Sequence, residues 1–144
     1  MANYTYTKDN QGDQVLFTII SGGQPVASAR LMVPTQDFES YAVRSSHRGR
    51  GLSYALTYAM LVYCNKKGYT NPQVSNAHGA LLTALPQVGF EQVGPTRVIK
   101  RGESAASFRC VSRGHAITRC TQKLHDYDVT LAGPIKTSRP CVIL

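Results

Sequence analysis

The chain has 144 residues, 42% of them hydrophobic, which suits one soluble domain with a real core. Its longest apolar run is far too short for a membrane-crossing helix, and the opening "MANYTYTKDNQGDQ" has neither the basic start nor the apolar centre of a secretory signal, so a cytoplasmic setting is expected. The net charge of +8 favours an anionic partner, and the four cysteines contain no CxxC pair, so neither a disulfide framework nor a paired-cysteine metal site is expected.

In chain order, "QVLFTII" (Gln14 to Ile20) reads as a strand, "SGGQP" as a turn and "VASARLMV" (Val26 to Val33) as the returning strand of a hairpin. Pro34 ends it, and "DFESYAV" (Asp37 to Val43) is a third strand. From Leu52 the period changes. Leu52, Ala55, Leu56, Ala59, Met60 and Tyr63 line one face of an amphipathic helix, which Lys66, Lys67 and Gly68 terminate. "NPQVSN" is a short strand, "AHGALLTAL" a short helix and "FEQVGPTRVIK" another strand. The pattern weakens beyond Arg101, although "DYDVTLAG" is a candidate final strand. The order βββαβαβ predicts an α/β or α+β domain over residues 1–132, followed by a tail from 133 to 144.

The charge is not evenly spread. No Asp or Glu occurs from Ser40 to Phe90, a segment that holds Arg44, Arg48, Arg50, Lys66 and Lys67. Within it, "VRSSHRGRGLS" joins a strand to a helix through Gly49 and Gly51. The first N–H groups of a helix have no internal partners and favour an anion, and glycine lets a ligand approach the backbone closely. The segment lacks GxxxxGK[ST], and Tyr54 stands where a dinucleotide fingerprint needs its third glycine, so neither of those phosphate sites fits.

The stretch resembles the pyrophosphate loop of the GNAT superfamily of acyl-CoA N-acyltransferases, [QR]-x-x-G-x-[GA], which begins five residues after the apolar end of a strand. Val43 is followed at that distance by Arg48; Arg48 and Gly51 match, and Ser53 replaces the final Gly or Ala. Further on the family has a strand, an Asn, a short helix and Gly-Phe, here Asn76, Gly89 and Phe90, with a spacing slightly longer than usual. The resemblance covers about Gln14 to Val98. It implies a mixed, mostly antiparallel sheet with the loop helix after the fourth strand, and acetyl transfer from acetyl-CoA to an amine of a protein or small molecule. By position it places the pantetheine arm on the backbone of Ala42, Val43 and Ser45, and the pyrophosphate on the N–H groups of Arg48, Gly49, Arg50, Gly51, Leu52 and Ser53. Asn76 is carried over with the cofactor residues.

An ammonium acceptor must lose a proton before it attacks, and the resemblance places a carboxylate base on the strand before the loop. Alternation puts Asp37, Glu39 and Tyr41 on the face of Val43, with Glu39 the preferred base. The family's general acid, a tyrosine seven residues after the Asn, is Thr83 here. The two helices that the family has between its first two strands find no room between "NYTYT" and "QVLFTII". A catalytically inactive binding protein on the same fold is therefore an alternative.

Two features stand apart from the resemblance. "SFRCVSRGHAITRC" follows a zinc-knuckle spacing at Cys110, His115 and Cys120, with Ser107 in the first ligand's place and His125 as a substitute fourth. A knuckle in this basic third would imply single-stranded nucleic-acid binding. The terminal "CVIL" fits a prenylation box with Lys136 and Arg139 as a basic approach, which would add a membrane anchor in a eukaryotic cytosol.

Overall fold

The computed structural model describes residues 2–135. Four strands form an antiparallel meander: β1 (Ala2–Asn10), β2 (Gln14–Ser21), β3 (Gln24–Met32) and β4 (Asp37–Val43). The β2–β3 loop is the dipeptide Gly22-Gly23, both at positive φ (59° and 77°), the backbone that matches the right-handed twist of flanking strands. The β1–β2 connection is equally tight, with Gln11 N–H donating to Gln14 O at 2.8 Å. No helices intervene there. Val15, Phe17 and Ile19 of β2 and Ala29 and Leu31 of β3 alternate onto one fully buried face.

Helix α1 (Leu52–Lys67) lies on that face, and its bounds coincide with the sequence reading. It then crosses over to β5 (Gln73–His78), which runs parallel to β4. Helix α2 (Leu81–Gln87) and β6 (Phe90–Val98) follow. The strand β7 (Ser104–Cys110) inserts antiparallel between β5 and β6, helix α3 (Arg113–Asp126) packs against α1, and β8 (Val129–Ala132) pairs parallel with β1. The eight strands thus lie in the order β6-β7-β5-β4-β3-β2-β1-β8, a mixed and mostly antiparallel sheet as expected.

Helix α1 departs from the expected single apolar face. Tyr54, Thr57, Leu61 and Cys64 are buried in addition to the six predicted positions, because the sheet covers one side and α3 another. The polar Thr57 is accommodated by two bonds of 2.8 Å, donating to Ser53 O and pairing with the Tyr41 hydroxyl. Arg113 of α3 donates to the carbonyls of Cys64 and Tyr69, satisfying acceptors where α1 ends. After β8 the chain stays on β1, with Ile135 N–H donating to Tyr6 O at 3.1 Å. The prenylation-like "CVIL", together with Lys136 and Arg139, lies outside the described residues.

Candidate active site

The loop between β4 and α1 begins with a 3-10 turn, Ser45–His47, and reaches the helix through Arg48, Gly49, Arg50 and Gly51. Both glycines need the left-handed region (φ 77° and 79°), and Gly51 is the helix N-cap. No side chain caps α1 and no acidic residue stands in its first turn, so its leading N–H groups face a cleft of about 450 Å³. Val43, Arg48, Gly51 and Ser53 line one side of this cleft, and Thr83 and Gln87 of α2 line the other. The Arg48 guanidinium turns back to the carbonyl of Val43 at 3.4 Å, which ties the loop to the strand end. Ser45 opens the 3-10 turn beyond the end of β4, so of the three residues expected to supply strand backbone, Ala42 and Val43 lie in the strand and Ser45 does not.

Beside this loop the sheet opens. β4 and β5 share one register pair, Asp37 with Gln73, and then diverge toward their C-terminal ends at Val43 and His78. At the parting point the Asp37 Oδ1 accepts from the Ser75 N–H at 3.0 Å, replacing a ladder bond with a side-chain one. Each diverging strand carries an irregularity. The β3–β4 register gains a residue on β4 between Glu39 and Ala42, with Ser40 at φ 58°, and the β5–β7 register gains one on β5, with Asn76 at φ 56°.

The β4 bulge corrects the predicted facing. Glu39 pairs with Arg30 and Asp37 with Met32, whereas Val43 pairs with Ala27 and Phe38 with Leu31. Residues directly opposite in an antiparallel pair share a face, so Asp37 and Glu39 lie on the sheet face away from α1. Tyr41, beyond the extra residue, lies on the α1 face with Val43, its hydroxyl bound to Thr57. Burial drives its pKa upward, only partly countered by that hydrogen bond. The predicted trio is therefore split by face: Asp37 and Glu39 lie on one face, whereas Tyr41 lies on the other with its hydroxyl tied to Thr57, although it still lines the cleft that they border. A one-residue insertion reverses every later side chain of a strand, and alternation alone does not reveal it.

Glu39 and Asp37 border a second cleft, of about 350 Å³, with Asn76 and His78 on its β5 wall. Asn76 thus stands beside Glu39 and not in the loop cleft. Its Oδ1 accepts from Arg97 of β6 at 2.6 Å, and Arg97 also reaches Ser107 Oγ at 3.4 Å. Arg97 carries no sequence signal for this contact, because its side chain reaches Asn76 across β7, which pairs with β6 on one side and β5 on the other. His47 and Tyr127 were missed as well. The His47 Nδ1 is buried without a hydrogen-bond partner at the loop cleft, and the Tyr127 ring lies on Gly51, where an added Cβ would come within 2.8 Å of it.

The knuckle does not form. Cys110 ends β7, while His115 and Cys120 lie on α3, where five residues turn the direction by about 140°. Cys120 is buried against α1 and His115 is exposed. Among the described residues no group of three or more His, Cys, Asp or Glu could hold a metal ion.

No family model matches the sequence, and no curated protein matches it significantly. Solved structures do match. An acyl-CoA N-acyltransferase from Pseudomonas aeruginosa superimposes with a TM-score of 0.60 at 21% identity, over 70% of each chain. The ribosomal-protein-S18-alanine N-acetyltransferase from Escherichia coli gives 0.59 at 21%, again over 70% of each. A CoA-dependent acyl-homoserine lactone synthase solved with SAM and isopentyl-CoA gives 0.60 at 16%, over 88% of this chain and 72% of that one. The fold is therefore that of the GNAT acyl-CoA N-acyltransferases.

Proposed function

We propose that the chain is an acyl-CoA N-acyltransferase that passes an acetyl group from acetyl-CoA to a primary amine of a protein or small molecule. The observation that carries this reading is the opening between β4 and β5, which leads from the uncapped start of α1 to the Glu39 cleft. The pyrophosphate would rest on the N–H groups of Arg48 to Ser53, with Arg48 and Arg50 adding charge. The pantetheine arm would follow Ala42 and Val43 along the edge of β4 that β5 has left.

Glu39 would take the proton from the acceptor ammonium, directly or through one water. The amine nitrogen then attacks the thioester carbon, and a strand N–H stabilises the oxyanion. Collapse of the tetrahedral adduct breaks the C–S bond and expels CoA thiolate, and the proton that the adduct nitrogen loses in becoming the amide passes, through water, to that thiolate. Asp37 has a different part, since its carboxylate is committed to the Ser75 N–H. Thr83 stands where the family pattern has a tyrosine, so the thiolate would depart without that acid and turnover would be slow.

The test is thiol release from acetyl-CoA in the presence of a panel of primary amines and N-terminal peptides. Calorimetric titration with acetyl-CoA accompanies it. No binding by the wild type, with Gly51→Asp behaving identically, overturns the acyl-CoA reading. Binding without thiol release from any acceptor favours the second reading, an inactive binding protein, to which Thr83 is the pointer.

A further inference from the structure

One stripe of helix α3 runs beside the residues of α1 and α2 that line the loop cleft. His115, Arg119, Lys123 and Tyr127 recur every four residues, which places them along one side of the helix and its C-cap. Their contacts establish which side it is. A Cβ at Gly89, just after α2, would meet the His115 ring at 2.9 Å, and Arg119 Nε donates to the Gln87 carbonyl at 3.3 Å. The Lys123 Nζ stands 5.8 Å from the Tyr54 ring centroid, and the Tyr127 and Tyr54 rings are tilted with centroids 5.8 Å apart. Gln87, Tyr54 and Gly51 all line the loop cleft. Tyr127, 44% exposed, itself lines that cleft, and the two cations stand against residues that line it, Arg119 on Gln87 and Lys123 on Tyr54.

We infer that this stripe binds the 3′-phosphoadenosine end of CoA, with the adenine on Tyr127 and the 3′-phosphate on Lys123 and Arg119. The inference rests on the acyl-CoA reading above. In CoA the pyrophosphate lies between pantetheine and adenosine. If the pantetheine runs from the loop along β4, the adenosine leaves on the opposite side, where Tyr127 covers Gly51. An exposed aromatic face takes a purine by stacking, and Arg and Lys take phosphate by charge-assisted hydrogen bonds. Asp126 and Asp128 flank Tyr127 in the chain, which suits a neutral base at that ring and keeps the phosphate with the cations one and two turns earlier. Helix α3 thereby takes a binding task that the loop alone does not perform.

The test is a ligand-truncation series by calorimetry on the full chain: CoA, 3′-dephospho-CoA and 4′-phosphopantetheine. The wild type should prefer CoA to 3′-dephospho-CoA by about ten-fold, the worth of one charge-assisted contact. Lys123→Ala and Arg119→Ala, the first half-buried and the second exposed, should shrink that ratio toward one without changing the affinity for 3′-dephospho-CoA. Tyr127→Ala should weaken CoA and 3′-dephospho-CoA alike and leave 4′-phosphopantetheine unaffected. If the wild type binds CoA and 3′-dephospho-CoA equally, or the ratio survives in the Lys123 and Arg119 variants, the inference is overturned while the acyl-CoA reading stands. Failure of all three ligands to bind overturns both.

Discussion

The carboxylate of Asp37 and the backbone N–H of Ser75 meet at 3.0 Å at the point where β4 and β5 part. The bond marks the start of the opening: β4 and β5 share the Asp37–Gln73 pair at their first residues and splay beyond it. Asp37→Ala leaves a strand N–H without its acceptor at a partly buried position, at a cost of about 1–3 kcal/mol. Asp37→Asn keeps an acceptor oxygen and should lose clearly less. Urea unfolding of the two variants checks this, and equal losses would mean that the contact is incidental.

Glu39 shares that cleft but has a different expected signature. Glu39→Gln should lower the rate of acetyl transfer by about 10²–10⁴-fold, the usual worth of a positioned general base, with acetyl-CoA affinity unchanged. Asp37→Asn, measured alongside, should retain most of its rate. A reversed ranking of the two in a thiol-release assay would move the base to Asp37.

Gly51 is constrained twice, by its φ of 79° and by the Tyr127 ring 2.8 Å from where a Cβ would stand. Gly51→Ala should destabilise the fold, since the left-handed backbone alone costs about 1–2 kcal/mol for a residue with a Cβ. In a Tyr127→Ala background the steric part disappears and the penalty should shrink. Additive losses in a double-mutant cycle would refute the contact.

The buried thiols set an alkaline limit on stability. Burial pushes Cys64 and Cys120 up to about 12 from an ordinary value of 9.0. Between these values the unfolded chain releases protons that the folded chain retains, so stability is undiminished below pH 9 and falls as pH rises from there toward 12. Each thiol contributes about 1.4 kcal/mol per pH unit in that window. Denaturation midpoints at pH 8 and pH 10.5 should differ less in a Cys64→Ala/Cys120→Ala variant than in the wild type. At neutral pH both thiols should resist alkylation until the protein unfolds.

Much of the scaffold is legible residue by residue. Leu52 to Lys67 and Asp37 to Val43 carry their own boundary signals, and the Gly22-Gly23 turn declares its hairpin. Helix α3 also left a local trace: Ser112 accepts from the His115 N–H as an N-cap, and Ala116, Cys120 and Leu124 recur every four residues. That trace coincides with a metal-ligand spacing; the helix itself, which turns His115 and Cys120 apart, and the burial of Cys120 distinguish the two. Strand β7 was harder to see, because Ala105 and Ala106 have little strand preference and are buried by the strands on either side.

What the sequence determined by itself is therefore local: the periods, the glycines that need positive φ, and the strand-loop-helix junction with its arginines, whose order resembles one fold family. The tertiary structure decided everything that depends on register and on distant partners. The bulge at Ser40 moved Glu39 to the face opposite Val43, the pairing of β6 and β5 on either side of β7 put Arg97 within reach of Asn76, and α3 laid Tyr127 on Gly51. The physical reason is common to all three. A backbone preference is set by a few neighbouring residues, whereas a site is set by which faces are buried together, and burial is a property of the whole packed chain.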